Sequence, residues 1–170
     1  MRRFVPLAAF VLVLALVAWA LIRPADRTVR SALVGKPLPV LALPGSVPGH
    51  PGLTTRATGK PRLLNVFASW CVPCAAEAPQ LAALKQAGVA VEGVAIRDAP
   101  ADTAAFLARY GDPYAAIGDD RDGRFQLSIG SSGVPETFVI DARGRIAMQH
   151  VGPIMDDDLP AILAALRSAT

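Results

Sequence analysis

The chain has 170 residues, of which 52% are hydrophobic and 18% are charged, and its formal net charge is +3. Residues 1–30 carry five arginines and one aspartate, so the remaining 140 residues, with 12 basic and 13 acidic side chains, have a net charge of −1. The excess of positive charge is thus confined to the flanks of one apolar segment, and we expect no nucleic-acid partner. The length allows one domain with a sizeable core, so the two cysteines are not required to hold a small fold together.

The apolar segment comes first. Nineteen uncharged residues, 4–22, follow Met1-Arg2-Arg3. A helix of this length, at about 1.5 Å per residue, spans a hydrocarbon core of about 30 Å. We therefore predict a membrane anchor over residues 1–23, a tether over 24–33 and one exported domain over 34–170. The alternative is a cleaved signal peptide, because Ala18-Trp19-Ala20 resembles a cleavage site.

The first half of the predicted domain leads to the two cysteines. Residues 34–43 are expected to end in an edge strand, and the Gly- and Pro-rich residues 44–60 to form a loop. The apolar run 62–68 predicts a buried strand, and the alanine-rich sequence to residue 87 predicts a helix that begins at Cys71. Pro79 should kink that helix.

The second half predicts further strands and helices, and His150 is expected to be a packed strand residue without a catalytic role. The predicted elements are a strand at 89–96, a helix at 100–110, a short strand at 115–117, an acidic turn at 119–123, a hairpin of 137–140 with 146–151, and a helix at 156–166. This order gives an α/β domain with a mixed central sheet and helices on both faces.

Cys71 and Cys74 are the only cysteines, and they lie between a predicted strand and a predicted helix. A Cys-x-x-Cys pair at such a junction is typical of thiol–disulfide exchange, because the helix N-terminus stabilises a thiolate. A purely structural disulfide and a zinc site remain open as alternatives. Covalent haem attachment is excluded, since Ala75 stands where that motif needs histidine.

At this point the sequence resembles the thioredoxin superfamily and, within it, the membrane-anchored CcmG/DsbE proteins of cytochrome c maturation. The resemblance covers residues 33–166. It depends on five motifs: Gly35-Lys36-Pro37, the run from Leu64 to Cys74, Glu77-Ala78-Pro79, Asp112-Pro113-Tyr114, and the run from Gly133 to Asp141.

The resemblance implies a thioredoxin-like fold and a function for specific residues. The proline that matches Pro135 is cis in the family and faces the disulfide, where an extended substrate pairs with the backbone. Six residues are expected to bind substrate: Trp70, Val72, Pro73, Val134, Pro135 and Glu136. An ordinary strand-entry proline is the alternative for Pro135.

Three residues are expected to be catalytic. Cys71, exposed at the helix start, attacks a substrate disulfide, and the more buried Cys74 resolves the mixed disulfide. Glu77 is expected to assist deprotonation of Cys74, because Asn65 replaces the buried aspartate of cytoplasmic thioredoxins. A surface helix carboxylate is the alternative for Glu77. Glu136 is expected to add a second acidic group near the sulfurs.

Carboxylates near a thiolate raise its pKa and make the dithiol a better electron donor, so we expect a reductase. The resemblance implies that its client is apocytochrome c or a maturation partner, and that a DsbD- or CcdA-type membrane protein donates the electrons. It also implies a single-pass protein of the bacterial inner membrane with a periplasmic domain. A general exported reductase of the ResA or TlpA type and a haem or copper chaperone are the alternatives. No cofactor is expected beyond the Cys71–Cys74 disulfide, and no metal.

Overall fold

The computed structural model describes residues 4–22 and 31–170. Helix α1 covers Val5–Ile22, which matches the predicted apolar segment. No helix within these described residues combines the length and the apolar character needed to cross a membrane, so the predicted transmembrane span is not confirmed. Most of the predicted tether, residues 24–30, lies outside the described residues, and the division into anchor, tether and domain stays a prediction.

A mixed five-stranded sheet forms the centre of the domain. Its strands are β3 (Arg62–Phe67), β4 (Val91–Ile96), β5 (Ala116–Asp120), β6 (Glu136–Ile140) and β7 (Ile146–Val151). Their order in the sheet is β5-β4-β3-β6-β7, in which β3, β4 and β5 are mutually parallel and β6 is antiparallel to both β3 and β7. Every residue of β3 and β6 is buried, as expected for two central strands covered on both faces.

Five helices follow α1 and pack against or beside this sheet. They are α2 (Val72–Ala76), α3 (Ala78–Gln86), α4 (Pro100–Tyr110), α5 (Arg124–Ser128) and α6 (Leu159–Ser168), and a 3₁₀ turn at Asp156–Asp158 leads into α6. The predicted helix after Cys71 is divided at Glu77, two residues before Pro79. The kink is thus confirmed, because proline supplies no N–H for a helical hydrogen bond and crowds the preceding turn. The thioredoxin-like α/β fold is confirmed as well.

The structure corrects three details of the prediction. The expected edge strand is only β1 (Ala42–Leu43), and it forms a separate two-stranded sheet with β2 (Leu53–Thr54), which lies inside the predicted loop. Of the residues predicted as an acidic turn, Asp119 and Asp120 end β5, and residues 121–123 form the turn. Helix α5 was not predicted, since its five residues are too short for a helical periodicity, and the buried Asp120 carboxylate caps it by accepting from the N–H groups of Phe125 and Gln126.

One close contact in the core requires glycine. The ring of Tyr114 stacks on that of Phe67, with centroids 4.7 Å apart and an interplanar angle of 18°. A Cβ atom on Gly93 of β4 would lie 2.9 Å from the Phe67 ring and 3.0 Å from the Tyr114 ring. The absence of a side chain at residue 93 therefore lets Tyr114 reach the interior of the domain beside β3.

Candidate active site

The two cysteines form a disulfide directly after the central strand β3. Their Cα atoms are 5.3 Å apart. Cys71 is the N-cap of α2, and its sulfur accepts a hydrogen bond from the backbone N–H of Cys74 at 3.1 Å. A thiolate on Cys71 would receive this donor and the positive end of the helix dipole.

The prediction that Cys71 is exposed does not hold in the disulfide form. Cys71 is 5% exposed and Cys74 is 2% exposed, so both are buried. Cys74 is the more buried of the two, as expected, but by a small margin.

Pro135 lies directly before β6. The peptide bond between Val134 and Pro135 is cis, as predicted. Because Glu136 pairs with Val66 in the antiparallel register of β3 and β6, Pro135 reaches the edge of the sheet at which β3 ends and the cysteines begin. The carbonyl of Pro135 accepts from the N–H of Gly152.

The residues expected to bind substrate differ in exposure. Trp70 is 55% exposed and Val72 is 82% exposed, and Pro73 is also exposed, whereas Val134 is half-buried and Pro135 is buried. Their role in binding stays a prediction. Trp70 is held in place, since its indole N–H donates to the carbonyl of Arg97 at 3.2 Å.

Sequence reasoning missed Asp98, which fixes the approach to the cysteines. Its carboxylate accepts from the Ser69 N–H at 2.6 Å and from the Ser69 hydroxyl at 2.7 Å, and the side chain is 7% exposed. Asp98 follows β4, so it ties the ends of two neighbouring parallel strands together ahead of Trp70 and Cys71. The only sequence signal was its position directly after a predicted strand, where α/β sheets place functional side chains.

Glu77 is the second acidic feature of the site, and it is not a surface carboxylate. It is 0% exposed and lies three residues after Cys74, between α2 and α3. One carboxylate oxygen accepts from the Asn65 side-chain amide at 2.9 Å, and the other accepts from the N–H of Ile154 at 2.9 Å. Two elements distant in sequence thus hold its position.

Burial raises the pKa of Glu77 from 4.5 to about 7. The hydrogen bonds from Ile154 and Asn65 and the charge of His150 act in the opposite direction, but they do not offset the loss of hydration. The carboxyl therefore exchanges its proton near neutral pH, which is the range in which a general acid or base is most effective.

Glu136 is also buried, and its carboxylate is directed at the loop before Pro135. One oxygen accepts from the Ser131 hydroxyl at 2.7 Å and from the Ser132 N–H at 2.8 Å. The other accepts from the side-chain amide of Gln149. These hydrogen bonds join Glu136 to this loop and to β7, and its expected action on the sulfurs stays a prediction.

Gln149 connects this loop to the beginning of the domain. Its side-chain oxygen accepts from the N–H of Ser31 at 2.6 Å, and the Ser31 hydroxyl donates to the carbonyl of Ile129 at 2.6 Å. The first described residue after α1 is thus bound to the structure that supports Pro135.

The two histidines contact aspartates. Nε2 of His50 lies 2.9 Å from Asp112, and Nε2 of His150 lies 3.7 Å from Asp158. His150 is a strand residue, as predicted. Across residues 4–22 and 31–170, no three His, Cys, Asp or Glu side chains are grouped so that they could hold a metal ion, so the zinc alternative has no ligand set there.

Known proteins share this fold and much of this sequence. The Redoxin family profile matches residues 33–166. The chain is 37% identical to the thiol:disulfide interchange protein DsbE of Escherichia coli K12 over 158 residues, which cover 88% of this chain and 84% of that one. It is 40% identical to DsbE of Pseudomonas fluorescens over 168 residues, covering 95% and 93% of the two chains.

A solved structure agrees with these relatives. The crystal structure of a thiol:disulfide interchange protein DsbE from Chlorobium tepidum has a TM-score of 0.61 and 31% identity, covering 76% of this chain and 95% of that chain. The disulfide after β3, the cis-proline before β6 and these similarities lead to one assignment. The chain belongs to the Redoxin family, among the DsbE-type thiol:disulfide interchange proteins, and is a thiol:disulfide oxidoreductase.

Proposed function

We propose that this protein reduces the disulfide of the Cys-x-x-Cys-His haem-attachment site in apocytochrome c, or in a maturation partner that presents it. The resemblance to the CcmG/DsbE proteins supports this client. The observation that carries the direction of the reaction is the buried carboxyl of Glu77, three residues after Cys74, with its pKa near 7.

The sign of the redox preference follows from charge. Above pH 7 Glu77 is mostly ionised, and a nearby carboxylate disfavours a thiolate. A less stabilised thiolate makes the reduced protein a better electron donor. The Val72-Pro73 pair between the cysteines supplies no cation that would act in the opposite direction.

The reaction proceeds in two exchanges. The Cys71 thiolate attacks one sulfur of the client disulfide, and a Cys71–client bond forms while the client disulfide breaks. Glu77 then accepts the Cys74 proton, and the Cys74 thiolate attacks Cys71. The Cys71–Cys74 bond forms, the client leaves as a dithiol once its thiolates take up protons, and two electrons have passed from protein to client. A DsbD- or CcdA-type membrane donor would restore the dithiol.

The reduction potential of the Cys71–Cys74 pair tests this direction. In the full chain, equilibrated with glutathione buffers in detergent, we expect a value near or below the ~ −180 mV of protein disulfide isomerase. A value near the ~ −120 mV of DsbA would mean that the protein makes disulfides, and the proposal of a cytochrome reductase would be withdrawn.

We also propose that residues 4–22 anchor the protein in the bacterial inner membrane, with the domain on the periplasmic side. Support comes from the uncharged sequence, from the helix at Val5–Ile22, and from apolar side chains such as Phe10 and Leu12, which are 60% and 61% exposed. The full chain should stay in the membrane fraction through an alkaline carbonate wash. Release by the wash, or a mature protein that begins after Ala20, would contradict the anchor.

Two alternatives remain for the function. A general exported reductase of the ResA or TlpA type would reduce unrelated disulfide peptides as fast as a Cys-x-x-Cys-His peptide. A haem or copper chaperone would use the two sulfurs as ligands, and titration of the reduced protein with Cu(I) or haem would reveal stoichiometric binding.

A further inference from the structure

A buried chain of hydrogen bonds leads from the Asp112-Pro113-Tyr114 segment to Glu77. The Tyr114 hydroxyl donates to the side-chain carbonyl of Asn65 at 2.7 Å, and the Asn65 amide nitrogen donates to Glu77 at 2.9 Å. The same nitrogen donates to the Thr137 hydroxyl at 2.9 Å. All four side chains are buried, so none of these groups exchanges its partner for bulk water.

The position of the Tyr114 hydroxyl is determined by the fold around it. The Asp112 carboxylate accepts from the Tyr114 N–H at 3.1 Å, which shapes the turn before the ring. The ring stacks on Phe67, and Gly93 leaves the space that it occupies. A phenol held at both its backbone and its ring has little freedom to move its hydroxyl away from Asn65.

The chain of hydrogen bonds is directional. Because the Tyr114 hydroxyl donates to the Asn65 side-chain carbonyl, the Asn65 amide nitrogen points toward Glu77 and Thr137. The N–H of Ile154 donates to the second carboxylate oxygen, so both oxygens of Glu77 face donors. Such an arrangement favours the ionised carboxyl, and hydrogen bonds in series polarise one another in a buried site.

Other titratable groups also face Glu77. Cys74 lies on α2, one turn before it, and His150 on β7 lowers the pKa of Glu77 through its charge. Burial raises the pKa of Tyr114 well above its usual value, and the charges of Glu77 and Asp112 raise it further, so Tyr114 remains a hydrogen-bond donor at any physiological pH.

We propose that Tyr114 is a positioning residue for thiol exchange, which through Asn65 holds Glu77 as the carboxylate that accepts the Cys74 proton. This inference rests on the proposed role of Glu77. Without the hydroxyl, the Asn65 carbonyl has no donor, and the amide can turn its oxygen toward a protonated Glu77. Glu77 would then retain its proton to higher pH and would no longer accept one from Cys74 at neutral pH.

The test compares Tyr114→Phe with wild type in the full chain. The ¹³C chemical shift of the Glu77 carboxyl, identified by its absence in Glu77→Gln, is followed against pH in the disulfide form. We expect its midpoint to lie higher in Tyr114→Phe than in wild type. The pH profile of the single-turnover rate, measured with a Cys-x-x-Cys-His disulfide peptide, should move to higher pH. The rate at pH 7 should therefore fall about tenfold.

Two control variants distinguish a change in the orientation of the Asn65 amide from a general loosening of the core. Tyr110→Phe removes a hydroxyl from an exposed tyrosine on α4. It should leave the Glu77 midpoint and the pH profile of the reduction rate unchanged. Thr137→Val removes a different hydrogen bond of Asn65 while the Tyr114 contact remains, and it should not raise the Glu77 midpoint. An upward shift in Thr137→Val equal to that in Tyr114→Phe would overturn the proposal.

The other outcomes are equally distinct. An unchanged Glu77 midpoint in Tyr114→Phe overturns the positioning role, even when the peptide is still reduced. A peptide that wild type does not reduce contradicts the proposed function, whereas the carboxyl titration needs no client and still decides the role of Tyr114. A wild-type Glu77 midpoint in Tyr114→Phe would mean that another donor to Asn65 replaces the tyrosine hydroxyl. That result would also overturn the positioning role of Tyr114.

Discussion

The Cys74→Ser variant is expected to stop at a stable mixed disulfide between Cys71 and its client. Cys71 still attacks, but the serine hydroxyl cannot displace the client sulfur, so turnover should fall by roughly 10³-fold or more. The trapped species is measured on non-reducing gels and by mass spectrometry after reaction of the reduced protein with a Cys-x-x-Cys-His disulfide peptide.

The matched control is Cys71→Ser, which leaves the buried Cys74 as the only thiol. It should capture little or no peptide, since Cys74 lacks the helix-cap position of Cys71. Efficient capture through Cys74 and none through Cys71 would reverse the two roles.

Glu77→Gln is expected to slow reduction of the same peptide by about 10²-fold at pH 7, the usual contribution of a positioned general base. Glutamine fills a similar volume but accepts no proton from Cys74. Asp156→Asn, which changes an exposed carboxylate near the start of α6, serves as the control and should keep the wild-type rate. Equal rates in wild type and Glu77→Gln would remove Glu77 from the mechanism.

The same substitution should change how stability depends on pH in the disulfide form. The pKa of Glu77 is about 7 in the folded protein and 4.5 in the unfolded chain. Between these two pH values the folded protein therefore binds more protons than the unfolded chain. The free energy of unfolding therefore falls as pH rises from 4.5 through 7, by about 3 kcal/mol from this group. Denaturant titrations at several pH values should show this fall in wild type and its loss in Glu77→Gln.

Local patterns in the sequence were sufficient to predict the redox centre and the elements that carry it. The apolar run before Trp70 predicts β3, the cysteine spacing predicts a disulfide at the start of a helix, and Val134-Pro135 permits the cis bond that is found. Each of these features depends on residues close together in the chain, which is why one sequence reveals them.

What the sequence could not predict depends on contacts between distant residues. An alanine-rich helix gives no sign that Glu77 is fully buried, because the residues that cover and bind it include Asn65 and Ile154. Tyr114 reaches Asn65 across 49 positions of sequence. Elements of two to five residues, such as β2 and α5, show no detectable periodicity for a different reason, since they are too short to repeat a strand or helix pattern.

The hydrogen bond between Ser31 and Gln149 also limits where the redox centre can travel. If residues 4–22 are held in the bilayer, only the eight residues 23–30 connect this segment to Ser31, which is hydrogen-bonded to β7. A chain of eight residues reaches at most roughly 30 Å. The disulfide is then confined to a shallow layer above the lipid surface, and clients delivered at that surface meet it at a raised local concentration.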